Sequence, residues 1–143
     1  MVNSRIFTSA SRRRSERGSA AVEFAILLPL LILLLFGIIE FSIAYNHEQG
    51  LHAAAREGAR VASLPQTTQA AVIDRVKSSL QGVLNSTDIA NATITVTPSG
   101  NQPCNGAPAG THVVVTVSAP DDLAIPLYTK TLTLTGRGEF LCE

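Results

Sequence analysis

The sequence predicts an α+β protein in which a long N-terminal helix carries a second, amphipathic helix and a small three-stranded antiparallel sheet. Three observations predict this class: an uncharged apolar run of 16 residues between Glu23 and Glu40, a later segment in which apolar residues recur at helical spacing, and three segments that alternate with a period of two. The chain has 143 residues, so the part that follows the long helix is enough for one domain with a modest core.

The apolar run is long enough to cross a membrane. Extended back to Ala20, it gives about the 20 residues that a helix needs to span ~30 Å of hydrocarbon, so we expect a transmembrane part at about 20–40. Residues 1–18 carry a net charge of +4 and the rest of the chain −4. Because positive residues mark the cytoplasmic side, we expect a cytoplasmic N-terminus and a periplasmic or extracellular C-terminus. The excess of positive charge lies in this tail and not on a folded face, which argues against nucleic-acid binding.

The helix is predicted to continue beyond the membrane. Residues 41–63 contain no proline and are rich in Ala, Glu, Arg and Leu, so one helix over 19–63 would be about 68 Å long. Pro29 removes an intrahelical hydrogen bond and predicts a kink or a locally melted turn. Small residues between Ala53 and Ala62 make a smooth surface, which suits the core of the subunit and a contact with another subunit equally.

The polar side chains of this helix do not predict a metal site or a catalytic site. His47 and His52 stand five residues apart, about 140° around a helix, so they do not share a face as metal ligands would, and both are expected to be solvated. Glu57 and Arg60 are three apart and can meet on one face. The sequence has neither a nucleophile-elbow pattern nor a phosphate-binding loop, and we expect no catalytic residue, no metal site and no cofactor.

Residues 64–143 are expected to form the head. Apolar residues at helical spacing predict an amphipathic helix over 67–84. Alternating, β-branched residues predict strands over 92–97, 111–118 and 131–135. One face of each strand is apolar and would lie on the helices, and the other is rich in threonine, as expected for an antiparallel sheet that is wet on one side.

Two loops of the head hold the remaining candidate residues. Residues 98–110 contain three prolines and three glycines and are not expected to form regular structure. Cys104 in this loop and Cys142 both fall on the oxidising side of the membrane, which predicts a disulfide worth roughly 3 to 4 kcal/mol, with two free thiols as the alternative. Asp121 and Asp122 are expected in a solvated turn, since two adjacent acids supply too few ligands for a cation.

The N-terminal residues also resemble a known family. Gly18 is followed by Ser19, and Glu23 stands at the fifth position after this glycine, with Phe24 next to it. An arginine-rich leader before Gly18, a spanning helix after it, and the segment AAAREGARVAS complete the pattern. Over roughly residues 17–63 the chain resembles the TadE-like pseudopilins of the Flp (Tad) pilus, a bacterial type IV pilus assembly system.

The resemblance implies a pilin-like fold and a role for each of these residues. A prepilin peptidase would remove the leader, residues 1–18, at the cytoplasmic face of the inner membrane and leave Ser19 as the first residue. Glu23, with Phe24 beside it, would serve assembly by pairing with the free terminal amine of a neighbouring subunit. The implied partners are this peptidase, other pilin or pseudopilin subunits, the inner-membrane assembly platform and membrane lipid. The implied function is that of a minor subunit needed for pilus assembly or priming, held in the inner membrane or incorporated in the extracellular pilus.

Two other interpretations stay open. An arginine-rich start and an apolar run also describe a secretory signal peptide, with a small-residue cleavage site after Ala44. Alternatively, the chain is never cut and is a single-pass, membrane-anchored binding module whose ectodomain recruits a partner. The first residue of the native protein distinguishes the three: Met1 for the anchored module, Ser19 for the pseudopilin and Tyr45 for a secreted domain.

Overall fold

The chain folds as a long helix with a small α+β head at its C-terminal end. The computed structural model describes residues 12–98, 100–108, 110–125 and 128–143, so most of the predicted leader lies outside the described residues. The elements are α1 (Arg12–Ala62), α2 (Gln69–Leu80), α3 (Ser86–Asn91), β1 (Thr93–Thr97), β2 (His112–Ile125) and β3 (Tyr128–Leu141). The strands form one antiparallel sheet in the order β1-β2-β3. The predicted α+β class, with its long apolar helix and three-stranded antiparallel sheet, is confirmed.

Helix α1 is continuous over 51 residues and contains Pro29. The locally melted turn predicted there is wrong, because the helix runs on through the proline. A proline deprives one carbonyl of its partner, and the good helix formers on both sides keep the remaining hydrogen bonds. The helix stops at Ala62 because Pro65 disfavours helical geometry at the residue before it, and Gln66 then takes a positive φ of 66°.

The C-terminal third of α1 is the centre of the head's core. Its small residues and one leucine are 0 to 1% exposed: Leu51, Ala54, Ala55, Ala59 and Ala62. They recur every three or four residues, which places them on one face of the helix. Of the two uses predicted for the smooth surface between Ala53 and Ala62, the structure therefore shows packing within the subunit, while Ala53 itself is exposed.

Helix α2 closes one side of this core. Thr68 caps its start, since the threonine hydroxyl accepts a hydrogen bond from the backbone N–H of Ala71 at 3.2 Å. The apolar face of α2 is fully buried through Val72, Val76 and Leu80. The sequence predicted this helix over 67–84, and the observed helix is shorter at both ends.

The chain turns between α2 and α3 for local reasons. Gly82 has a positive φ of 91°, which ends the helical path and suits glycine. Asn85 then starts a separate short helix, α3, because its side chain accepts a hydrogen bond from the N–H of Asp88 at 2.9 Å.

Strands β2 and β3 form a hairpin much longer than predicted. They pair from His112↔Leu141 to Ile125↔Tyr128, whereas β1 pairs with β2 only as far as Thr93↔Ser118. Beyond Ser118 the far edge of β2 has no strand partner among the described residues, which allows Pro120, without an N–H, to lie in the strand. The lower half of the hairpin is a two-stranded ribbon that continues past the rest of the sheet.

Helix α1 lies directly on β3. A Cβ added at Gly136 would collide with the backbone of Leu51, and one at Gly138 with the backbone of Ala55. Only glycine at these two strand positions lets the helix approach so closely. Because Leu51 lies opposite Gly136 and Ala55 opposite Gly138, α1 and β3 run in the same direction.

The two cysteines form a disulfide between Cys104 and Cys142, which are 38 residues apart in the chain. The bridge ties the irregular loop after β1 to the end of β3. Next to it, the N–H of Glu143 donates to the carbonyl of Ser63 at 3.1 Å, so the C-terminus of the chain is held beside the end of α1.

Candidate assembly site on the N-terminal helix

Among the described residues, the head leaves the N-terminal half of α1 uncovered. Its large apolar residues from Val22 to Phe36 are all exposed, for example Phe24 at 57% and Ile26 at 72%. The most apolar window of the helix has a mean hydropathy of 2.8, and none of it is buried within the described residues. A soluble protein would hide such a helix in its core, so this half of α1 fits insertion in a membrane or contact with other apolar helices.

Glu23 stands at the start of this bare half. The hydroxyl of Ser19, one turn earlier, donates a hydrogen bond to its carboxylate at 3.3 Å. In the part of the chain that the structure describes, none of the ion pairs involves Glu23. Its negative charge has to find a counter-charge elsewhere if the carboxylate lies in an apolar environment.

Gly18 lies inside α1 and is open to solvent. A Cβ added to this glycine would meet no atom within 4 Å. The peptide bond between Gly18 and Ser19, which is the predicted cleavage site, is therefore accessible along an exposed stretch of helix. Glycine is also the weakest helix former apart from proline, so the turn around it opens more readily than its neighbours.

A histidine and an aspartate join the middle of α1 to the hairpin. Nδ1 of His47 lies 2.7 Å from Oδ1 of Asp121, and the aspartate side chain is only 10% exposed. Both residues were predicted to be solvated, and both predictions are wrong because the hairpin extends further along α1 than expected. Asp122, predicted in the same turn, also lies within β2 but is exposed, and it accepts a hydrogen bond from the hydroxyl of Thr131 at 2.6 Å. The period of two that places Val113 inside continues to Asp121, and this signal could have found its inward position.

His52 makes a second contact with the hairpin. Its Nδ1 accepts a hydrogen bond from the backbone N–H of Arg137 in β3 at 3.2 Å. This N–H belongs to β3, which is an edge strand of the described sheet, so the imidazole supplies an acceptor to the backbone of an edge strand. The prediction that His52 is merely solvated is also wrong.

Glu57 of α1 binds two arginines, Arg60 on the same helix and Arg75 on α2, and the second joins the two helices. Its Oε1 accepts hydrogen bonds from Arg60 at 2.9 Å and from Arg75 at 2.7 Å. Hydrogen bonds from Arg60 and then Arg75 lower the pKa of Glu57 from 4.5 to about 2. The contact with Arg60 was predicted from the spacing, but the one with Arg75 comes from another helix and has no local signal.

The side chains that the structure describes form no cluster of potential metal ligands. Within the described ranges, no group of three or more His, Cys, Asp or Glu side chains could hold a metal ion. In the described part of the chain, the arrangement offers contacts that join helix and head, and an exposed apolar surface that begins with the carboxylate of Glu23.

Comparison with known proteins finds a similarity for the N-terminal helix. Residues 18–60 match the family model described as TadE-like protein. Over these residues the chain is similar to TadE-like proteins. No curated protein and no solved structure matches the chain significantly.

The TadE-like segment begins at Gly18 and ends within the last turn of α1. It contains both the bare apolar half and the stripe of small residues that the head covers, while the two remaining helices and the sheet lie outside it. The expected resemblance to the TadE-like family is thus confirmed for the helix. The match covers α1 alone, and the apolar N-terminal half of this helix fits membrane anchoring.

Proposed function

We propose that this chain is a minor, pilin-like subunit of a Flp/Tad-type pilus. In this proposal it is inserted in the inner membrane with its N-terminus in the cytoplasm and its head in the periplasm, and a prepilin peptidase cuts it after Gly18. It is then needed for pilus assembly or priming, together with other pilin or pseudopilin subunits and the inner-membrane assembly platform. The observation that carries the proposal is that the TadE-like match starts at Gly18 and continues into a helix half that the head leaves bare.

The division of α1 supports this function physically. The C-terminal end of α1 belongs to the core of the head, and its N-terminal half is uncovered. The uncovered half can lie in lipid and later pack among the helices of other subunits. In both surroundings its apolar side chains avoid water. The head stays folded throughout, because its core depends on the other end of the helix.

Glu23 has a defined role in the proposal. A lone carboxylate at the edge of the hydrocarbon is disfavoured, whereas one that faces an ammonium group is compensated. Cleavage after Gly18 creates such a group at Ser19. Because Ser19 is one turn from Glu23 on the same face, the subunit's own amine can neutralise the carboxylate in the membrane, and a neighbour's amine can replace it on assembly. This exchange fixes the axial position of one subunit against the next.

The first experiment measures processing. The intact mass of the native protein is determined in cells with and without the prepilin peptidase, for the wild type and for Gly18→Val. Gly37→Val is the matched control, since a Cβ at Gly37 also meets no atom within 4 Å. We expect wild type and Gly37→Val to begin at Ser19 when the peptidase is present, and Gly18→Val to keep residues 1–18. A wild-type protein that keeps residues 1–18 beside an active peptidase would contradict the proposal and favour the uncut, membrane-anchored binding module.

The second experiment measures assembly. Glu23→Ala should abolish or strongly reduce pili, while the membrane fraction still contains the cleaved protein. Glu48→Ala removes a charge of the same kind from α1 beyond the membrane and should leave pilus numbers unchanged. Wild-type numbers of pili in the Glu23→Ala strain would reduce Glu23 to a residue of the membrane boundary.

A further inference from the structure

The loop between β1 and β2 contains the only asparagine of the chain that is followed by glycine. Asn105 and Gly106 are both exposed, and they form the centre of a turn in which the N–H of Ala107 donates to the carbonyl of Cys104 at 3.3 Å. Gly106 has a positive φ of 73°, which suits glycine better than residues with a side chain. The disulfide from Cys104 to Cys142 holds this turn beside the end of β3.

The backbone nitrogen of Gly106 is accessible to water. A Cβ added at Gly106 would meet no atom within 4 Å, so the space around this residue is open. Among the described residues, its N–H donates to no backbone or side-chain acceptor. An exposed N–H without a protein acceptor exchanges its proton with water more readily than one in a hydrogen bond. The nitrogen that follows the side-chain amide of Asn105 is therefore free to react with it.

We propose that Asn105 and Gly106 form a site of spontaneous deamidation, with water as the co-reactant. The nitrogen of Gly106 attacks Cγ of Asn105 and gives its proton to water. The bond from Cγ to Nδ2 breaks, so ammonia leaves and a five-membered succinimide ring remains. Water then opens this ring. Breaking the bond from the Gly106 nitrogen to Cγ gives aspartate, and breaking its bond to the main-chain carbonyl carbon of Asn105 gives isoaspartate. Either product carries a new negative charge.

The product interrupts a chain of hydrogen bonds that holds the loop on the segment between α1 and α2. Nδ2 of Asn105 donates to Oε1 of Gln102 at 2.6 Å, and Nε2 of Gln102 donates to the carbonyl of Gln66 at 3.4 Å. A carboxylate at 105 can only accept, so the amide of Gln102 turns its Nε2 toward the new charge and leaves Gln66. The adjacent hydrogen bond, from the N–H of Gln69 to the carbonyl of Asn101 at 2.8 Å, loses this support. Deamidation therefore loosens the loop from the start of α2.

The first experiment measures the modification. The full-length protein in detergent micelles, with its disulfide intact, is kept in warm, mildly alkaline buffer, and its peptides are analysed by mass spectrometry with fragmentation that distinguishes aspartate from isoaspartate. We expect residue 105 to gain about 1 Da and to yield both products. Asn101 is the matched control, because it is exposed in the same loop but is followed by glutamine, and it should keep its amide.

A variant tests the role of the glycine. In Gly106→Asn the new side chain hinders attack by the nitrogen, and asparagine adopts a positive φ more readily than most residues. Over the period in which half of the wild type converts, we expect no detectable conversion at position 105 in this variant.

The second experiment measures the hydrogen-bond chain by deuterium exchange. Asn105→Asp creates the aspartate product, and Asn101→Asp adds the same charge to the same loop while leaving the side chains of Asn105 and Gln102 in place. We expect the N–H of Gln69 to exchange about fivefold faster in Asn105→Asp than in wild type, as the loss of one hydrogen bond implies. In Asn101→Asp it should exchange at or below the wild-type rate, since an acidic residue near a helix N-terminus is not destabilising.

Each result decides one part of the proposal. If Asn105 keeps its amide for as long as Asn101 does, there is no deamidation site. Aspartate without isoaspartate would show direct hydrolysis and exclude attack by Gly106. An unchanged exchange rate at Gln69 in Asn105→Asp would refute the loosening of the loop. The proposal does not depend on a role in pilus assembly, and processing after Gly18 is measured independently of all three results.

Discussion

The close approach of α1 to β3 predicts a graded series of glycine substitutions. A Cβ at Gly138 would collide with the backbone of Ala55 and Arg56, and no side-chain rotation can relieve a collision with backbone. Overpacking a tight core costs typically 1 to 3 kcal/mol, so we expect Gly138→Ala to lower the free energy of unfolding of the head by about 3 kcal/mol. Since 1.4 kcal/mol corresponds to a factor of ten, the fraction of molecules with an unfolded head rises about 100-fold.

Two further substitutions test the reasoning from the same structure. At Gly50 the Cβ would meet the side chain of Val83, which is only partly buried, so Val83 has room to shift. Alanine is also the better helix former by about 1 kcal/mol, so Gly50→Ala should cost less than Gly138→Ala. At Gly37 the space is open, and Gly37→Ala should be neutral or slightly stabilising.

The assay is hydrogen exchange of the full-length protein in detergent micelles, measured by mass spectrometry on peptides from α2 and β2. These elements are in the core, so their slowest amides report the opening of the whole head. The expected order of exchange rates is Gly138→Ala far above Gly50→Ala, with Gly37→Ala at or below wild type. Exchange in Gly138→Ala within about threefold of wild type, less than 1 kcal/mol, would refute direct contact between the helix backbone and the strand.

Two more properties of the head can be predicted. Replacing Cys104 and Cys142 by serine should lower the free energy of unfolding by about 4 kcal/mol in the chain-entropy model for a separation of 38 residues. Urea unfolding of oxidised and reduced wild type checks this, and equal midpoints would contradict it. Because the pKa of Glu57 is depressed from 4.5 to about 2, its pairing with Arg60 and Arg75 stabilises the head above pH 4.5 and is lost as the pH falls toward 2. The carboxylate is 25% exposed, so we expect about 1 kcal/mol after solvent screening, measured as a stability difference between wild type and Glu57→Gln that shrinks over this pH range.

Local signals in the sequence predicted the helical part of the fold. The apolar run and the proline-free segment of good helix formers after it predicted the end of α1 to within one residue of its observed end at Ala62. These signals act between near neighbours in the chain, so they can be read directly. The break between α2 and α3 also has local signals, namely a glycine at 82 and a helix-capping residue, Asn85. The prediction of one helix over 67–84 missed them because the apolar residues around them continue the helical spacing.

The length of the hairpin could not be read in the same way. Asp121 and Pro120 interrupt the β-branched pattern, and taken alone they indicate a turn. They lie in a strand because β3 pairs with them and because α1 supplies His47 beneath Asp121. Strand formation depends on such partners more than on the residues of the strand itself. The same is true of the candidate site: the spacing of Gly18 and Glu23 is local and readable, whereas the joints at His47, His52 and Arg75 exist only once the head has folded.

The parallel course of α1 and β3 also determines how the protein responds to force. A pull on the membrane end of α1, along its axis, acts along the interface with β3 and loads the contacts at Gly136 and Gly138 in shear, so they resist together instead of opening one after another. The disulfide between Cys104 and Cys142 secures the far end of this strand. Helix and head therefore move together, and a displacement of the helix along its axis would carry the head over the same distance.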